Sequence, residues 1–134
     1  MKPKSYGIAP YKIIKGEVFL LLNKTHSKSE FNFFKGKQEN DETVDECAVR
    51  EFKEEAGIRI NPEHLEEFFT QNSKRKNVGV FLVNWNKYKH LRLYYSRREI
   101  WSAEWVRLLD VDTIMSKNQQ KIHNELIEHF KEDV

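Results

Sequence analysis

Apolar residues in this chain come mostly in short runs, and only one stretch has the spacing of a long amphipathic helix. Residues 6–14 and 18–22 are rich in Tyr, Ile, Val, Phe and Leu and are joined at Lys15-Gly16, which predicts two strands linked by a turn. Pro10 has no amide hydrogen to give to a ladder, so it assigns the first strand to an edge or a bulge. Residues 24–30, rich in Lys, Ser and Thr, read as a mobile loop. Residues 31–34 (Phe-Asn-Phe-Phe) predict a short aromatic strand that runs into a turn at Lys35-Gly36-Lys37. Further strands are expected at 57–60, 65–70, 78–85, 91–96 and 104–108, the third of these apolar on both faces and therefore central. Residues 111–115 and 117–131 suggest a helical C-terminal region.

Between 43 and 56 the period changes. At about 100° per residue, Val44, Ala48, Val49, Phe52 and Ala56 share one arc. Asp41 and Thr43 offer N-cap side chains, and Gly57 supplies the residue that most easily turns left-handed at a helix end. Strands interspersed with two helical regions predict an α/β chain, a mixed sheet between helices.

At 134 residues the chain is expected to form one domain, residues 1–134. The net charge of +2, with both signs interspersed, gives no argument for nucleic-acid or membrane binding by bulk charge. No run approaches 18 apolar residues and the first residues lack an apolar signal core, so the expectation is a cytoplasmic protein without a membrane partner. Cys47 is the single cysteine, expected to be an inert thiol in a reducing compartment. The five histidines show no metal spacing, and His123 and His129 are expected to be structural or exposed on the last helix.

The chemistry concentrates on the 43–56 helix. Glu51, Glu54 and Glu55 gather beside its apolar arc, because positions three and four apart face the same way. Left alone, such a cluster repels itself, and most acidic helix faces are simply solvated. A hard divalent cation, Mg2+ or Mn2+, reverses the sign and characteristically joins carboxylates to substrate phosphates. Arg50 can pair with Glu54 on its own helix or reach back to Glu42, which would orient the carboxylates.

Gly36, Glu42, Arg50, Glu51, Glu54, Glu55 and Gly57, with Phe52 and Ile58 between and after them, fall in the pattern G-x5-E-x7-R-E-U-x-E-E-x-G-U, with U apolar. This is the complete box of the Nudix hydrolases, which the chain resembles over essentially its whole length. The resemblance implies a mixed sheet sandwiched between the box helix and a C-terminal helix. It places Glu51, Glu54 and Glu55 in a divalent-metal site, with a main-chain carbonyl of Lys35 or Gly36 as a further ligand, and pairs Glu42 with Arg50. The implied reaction is attack of an activated water on a phosphorus of a nucleoside diphosphate linked to another moiety.

Three further features resemble the branch of diadenosine tetraphosphate hydrolases and RNA 5′-pyrophosphohydrolases: residues 5–11 (SYGIAPY), residues 31–37 (FNFFKGK), and Ser96-x-x-Glu99 followed six residues later by Trp105. By this likeness Glu99 supplies a carboxylate from outside the box, as ligand or base. Two departures are Phe34, where that branch commonly has Pro, and Asn40-Asp41 in place of Pro-Gly.

Around this centre, Lys35 and Lys37 are candidates to hold polyphosphate, against the plain reading of solvated lysines. Phe31, Phe33 and Tyr94, with Tyr95 and Trp101, are candidates to stack a nucleobase, although strand aromatics are usually core. Arg92, Arg97 and Arg98 could extend a basic path but read more simply as a solvated edge. Trp85 and Trp105 read as core. The expected substrate is a dinucleoside polyphosphate or a capped or triphosphorylated RNA 5′ end. The alternatives are a nucleoside triphosphate or nucleotide sugar and, last, binding without turnover. The protein is expected to act as a monomer or homodimer.

Overall fold

The structure, a computed structural model, describes residues 2–94, 100, 102–110 and 115–131, without the side chain of Asn118. Its strands are β1 (Lys4–Ile14), β2 (Glu17–Lys24), β3 (Phe34–Lys37), β4 (Phe68–Asn72), β5 (Asn77–Asn84) and β6 (Ser102–Arg107), with helices α1 (Val44–Ala56) and α2 (Gln120–Phe130). One mixed sheet runs β4-β5-β1-β2-β6, with β3 also paired to β1.

β1 is central, which overturns the edge assignment made from Pro10. It lies parallel to β5 along one side and changes partner on the other. Ser5 to Ile8 pair with β3, and Tyr11 to Ile14 pair with β2. Pro10 stands in the gap between those two ladders, where a residue without a donor is tolerated.

Strand alternation divides the core in two. Ile8, Leu21, Phe34 and Val83 face α1 and pack with Ala48, Phe52, Ala56 and Trp85. Ala9, Leu20, Leu22, Phe33, Val80 and Leu82 face the other way, onto Ile122, Leu126 and Phe130 of α2. The result is the expected sheet between two helices. Trp85 is buried as expected, and Trp105 is half-buried, with the Lys12 ammonium 4.2 Å from its ring centre. His123 is fully buried in α2, while His129 is exposed at its end.

The structure corrects several expected elements. Residues 31–33 form only isolated bridges, Asn32 with Asn23 and Phe31 with Met115, and the strand begins at Phe34. It then runs through Lys35-Gly36-Lys37, expected to be a turn, because Gly7 lets the backbones of β1 and β3 meet closely. A Cβ on residue 7 would come 1.7 Å from the Phe34 carbonyl oxygen. Residues 57–60 pair with no strand: Ile58 and Ile60 are buried in the α1-side core as an extended connector. Residues 91–94 likewise carry no strand, and 95–96 lie outside the described residues. Met115 sits in its bridge rather than a helix, and residues 111–114 also lie outside.

Candidate active site

The helix that carries the carboxylates is stopped at both ends by its own sequence. Thr43 is the N-cap: its hydroxyl accepts from the Glu46 amide at 3.2 Å, and the Glu46 carboxylate accepts from the Thr43 amide at 2.8 Å. This reciprocal capping box, legible in Thr43-x-x-Glu46, satisfies two orphan donors of the first turn. Asp41, the other N-cap candidate, instead takes φ +68° in the approach loop. Gly57 closes the helix at φ +77°, its amide donating to the Lys53 carbonyl at 2.9 Å. Burial of Cys47, Ala48, Phe52 and Ala56 then sets the roll of α1, which holds Glu51 and Glu55 half-buried beside that apolar face and turns Glu54 out to solvent.

Arg50 is the hub of the site. Its Nη1 donates to Glu51 Oε1 at 2.9 Å and to both oxygens of Glu54 at 3.1 and 3.2 Å. Its Nε donates to Glu42 Oε2, and Nη2 to Glu42 Oε1 at 3.1 Å and to the Lys37 carbonyl at 3.0 Å. Both partners expected for Arg50, Glu42 and Glu54, are therefore engaged at once. The bidentate grip on Glu42 sews the approach loop to the helix. Hydrogen bonding from Arg50 holds the Glu42 carboxyl below its ordinary range, and the Glu42 hydrogen bond raises the guanidinium further. Glu39, which the sequence reading missed, stands 3.5 Å from Arg50 on the exposed side. Loop glutamates are common, so its place shortly before Glu42 carries no signal of its own.

Across from Glu51 lies β3. The Glu51 carboxylate rests against Gly36, where a Cβ would come 1.9 Å from it. The Gly36 carbonyl accepts a long contact from Cys47 Sγ at 3.5 Å. Burial pushes that thiol up to about 12, with Glu42 adding to the effect, so Cys47 is the inert thiol expected. Lys35 is half-buried, and burial lowers its ammonium, with Lys76 beside it acting the same way and Glu55 and Glu51 opposing. Lys76 was also missed; the run Lys74-Arg75-Lys76 before β5 was the available sign.

The structure thus brings together Lys35, Gly36, Lys37, Arg50, Glu51, Glu54 and Glu55. Phe31 and Phe33 are not part of it: both are buried in the α2-side core, Phe33 at 1% exposure, and neither can offer a face to a nucleobase. The plain core reading wins because alternation turns Phe33 away from α1. Tyr94 is exposed, and its amide donates to the Ala56 carbonyl at 2.9 Å, which sets it at the end of α1 against Gly57. Arg92 is exposed. Glu99, Tyr95, Arg97, Arg98 and Trp101 lie outside the described residues.

As ligands for a cation, three carboxylates and a strand carbonyl form an all-oxygen donor set, which suits a hard divalent ion such as Mg2+. The glycine that lets Glu51 lie against the β3 backbone fits such a site. Among the described residues no three acidic, His or Cys side chains stand together as a ready cage, since Arg50 draws Glu51 and Glu54 onto its own Nη1. A space of about 470 Å³ opens between Lys37, Glu39, Arg50, Glu51 and Glu54, on the side where a phosphate chain could reach these groups.

Comparison with known proteins places the chain in a family by its sequence and its fold. Over 109 residues the chain is 30% identical to the Schizosaccharomyces pombe mRNA decapping complex subunit 2, a match that takes in 78% of this chain and 14% of that much longer one. The structure of a C. elegans Ap4A hydrolase in a binary complex superposes with a TM-score of 0.74 at 22% identity, covering 97% of this chain and 98% of that one. The NUDIX domain of Shewanella oneidensis NrtR, complexed with ADP ribose, does so with a TM-score of 0.69 at 13% identity, covering 98% and 88%. At those identities the two structures speak for the fold alone. The NUDIX domain family matches residues 9–130, and this chain belongs to it, with its box intact.

Proposed function

We propose that this chain is a divalent-cation-dependent pyrophosphohydrolase that splits a phosphoric anhydride bond in a nucleoside diphosphate linked to a further moiety. The observation that carries this is the gathering of Glu42, Glu51 and Glu54 around Arg50, with the Glu51 carboxylate packed against Gly36. Glu51, Glu54, Glu55 and the Gly36 carbonyl are the groups that would hold Mg2+ or Mn2+. Bound there, the ion would supply Lewis acidity to the phosphate oxygens and to a water. Arg50 orients the carboxylates and offsets their mutual repulsion.

Lys35 and Lys37 counter the negative charge of the phosphate chain, and Lys76 beside Lys35 extends that field. A chain of several phosphates is what several cations near the carboxylates would match, so the favoured substrate is a dinucleoside polyphosphate or a capped or triphosphorylated RNA 5′ end. The Ap4A hydrolase and the decapping subunit among its relatives are in keeping with that choice. Tyr94 is the remaining described candidate to stack a base, and Glu99 the candidate base or further ligand from outside the helix.

A mass-spectrometric turnover screen with Mg2+ tests this directly. Diadenosine tetraphosphate, capped and triphosphorylated RNA ends, nucleoside triphosphates and nucleotide sugars form its arms. Cleavage of the first two classes ahead of the others is expected, and product masses report which phosphorus is attacked. Turnover confined to nucleoside triphosphates or nucleotide sugars would replace the substrate assignment, and no turnover of any arm with Mg2+ or Mn2+ would overturn the activity.

A further inference from the structure

We infer that Gln119, on the far side of the sheet from the carboxylates, is a positioning residue for the cation site, acting through the segment that enters β3. The inference rests on the reading of Gly36, Glu51, Glu54 and Glu55 as that site.

Residues 31–33 reach β3 with little regular pairing to guide them. Asn32 exchanges two backbone hydrogen bonds with Asn23, at 2.9 and 2.8 Å, and the Phe31 carbonyl accepts from the Ser116 amide at 3.2 Å. The Phe33 amide, in the interior, donates instead to the side-chain oxygen of Gln119 at 2.8 Å. The Gln119 side-chain nitrogen donates to Asn32 Oδ1 at 3.0 Å, and Asn32 Nδ2 donates in turn to the Glu30 carbonyl at 3.1 Å. Gln119 is 1% exposed and its bond from the Phe33 amide is buried, where an unmet amide is costly, while its bond to Asn32 is partly buried. One primary amide thus splints two consecutive residues of the approach.

The splint has a fixed base. Gln119 ends the turn Lys117–Gln119 that leads into α2, and its own amide donates to the Ser116 carbonyl at 2.9 Å. Gln71 of β4 clamps the same turn: its side-chain oxygen accepts from the Lys121 amide at 2.7 Å and its nitrogen donates to the Lys117 carbonyl at 3.0 Å. The height of Gln119 over the sheet is therefore set by β4 and α2, independently of β3.

Downstream the tolerance is small. Gly36 lies three residues beyond Phe33, roughly 10 Å along an extended chain. There the Glu51 carboxylate leaves less space than one methyl group needs. β3 is four residues long and, among the described residues, pairs with β1 alone. Gln119 removes the freedom of its upstream end, so that Lys35 and the Gly36 carbonyl stay in register with α1. The entrance to the box is gripped from both layers, by Glu51 on the α1 side and by Gln119 on the α2 side.

The test separates positioning from plain core support. Gln119→Met keeps the length of the side chain and removes both hydrogen bonds; Ile122→Val trims the same region of α2 without touching them. Each full-length variant is melted and titrated calorimetrically with Mn2+ alone, without substrate. Gln119→Met is expected to weaken Mn2+ binding about tenfold and to lower kcat with little change in KM, the scale seen when groups behind a metal's ligands are lost. Ile122→Val is expected to bind Mn2+ as the wild type does, even where it melts lower. Gln119→Asn, which withdraws the amide by one methylene, serves if the Met variant does not fold, and must show the same loss. Wild-type Mn2+ affinity in a folded Gln119 variant would overturn the inference, leaving Gln119 a core strut. A wild-type protein that bound no Mn2+ would instead overturn the reading of the carboxylates.

Discussion

The Glu51 carboxylate occupies the space that a Cβ on residue 36 would need, 1.9 Å from the position such an atom would take. The glycine of the box is thus explained by a side chain on the facing helix rather than by backbone conformation. Gly36→Ala must push Glu51 away or lift β3 off α1. Overpacking of this kind costs about 1–3 kcal/mol. The variant should melt lower and lose at least about tenfold in Mn2+ affinity by titration calorimetry. Unchanged affinity would mean that Glu51 and Gly36 do not act together on a cation.

Arg50 binds Glu42, Glu51 and Glu54 at once, so its removal leaves three carboxylates facing one another without their countercharge. Arg50→Ala should lower both melting temperature and cation affinity, the latter by roughly 10 to 100-fold. Arg50→Lys should restore little, because an ammonium cannot reproduce the planar fork that spans three partners. Normal cation affinity in Arg50→Ala would refute the orienting role.

Acid should loosen the approach loop first. Hydrogen bonding from Arg50 lowers the Glu42 carboxyl below its unfolded value. Its stabilising effect is therefore full above the ordinary carboxylate range and is lost as pH falls through the lowered value. Melting temperature should drop over that acid window in the wild type, and the drop should be smaller in Glu42→Gln. Equal acid profiles for the two proteins would show that Glu42 does not couple folding to pH.

Much of this site was legible in the sequence because it is local. The spacing of Arg50, Glu51, Glu54 and Glu55 on one helix fixes their common side, and Thr43 and Gly57 fix where that helix starts and stops. What sequence could not supply was partnership across the fold. Pro10 looked like an edge residue, yet it sits where β1 exchanges β3 for β2, a fact of topology with no local signature. Phe31 and Phe33 looked available because aromatic residues serve both bases and cores, and only the alternation of the β3 approach decided for the core. Lys76 and Gln119 belong to the neighbourhood of the box through strand neighbours and helix packing, over separations that periodicity does not read.

Glu99 tests whether a carboxylate from outside α1 takes part. A base for the attacking water has to lie within hydrogen-bond reach of it, and α1 offers carboxylates from one side only. Glu99→Gln should lower the rate at saturating substrate by at least about tenfold, with the melting temperature unchanged. A normal rate across the pH range would make Glu99 a surface charge, where a pairing is worth at most about 1 kcal/mol.

Glu54 bears most directly on the role of the box. It is a half-exposed carboxylate whose two oxygens accept hydrogen bonds from Arg50 Nη1 at 3.1 and 3.2 Å, so Glu54→Gln removes charge while keeping shape. Turnover of diadenosine tetraphosphate with Mg2+, followed by mass spectrometry beside a melting curve, is the decisive measurement. Loss of a cation ligand should raise the barrier by several kcal/mol, about a hundredfold or more in kcat, with melting unchanged. Wild-type turnover in a Glu54→Gln variant that melts like the wild type would contradict the assignment of this helix as the cation-binding face of the enzyme.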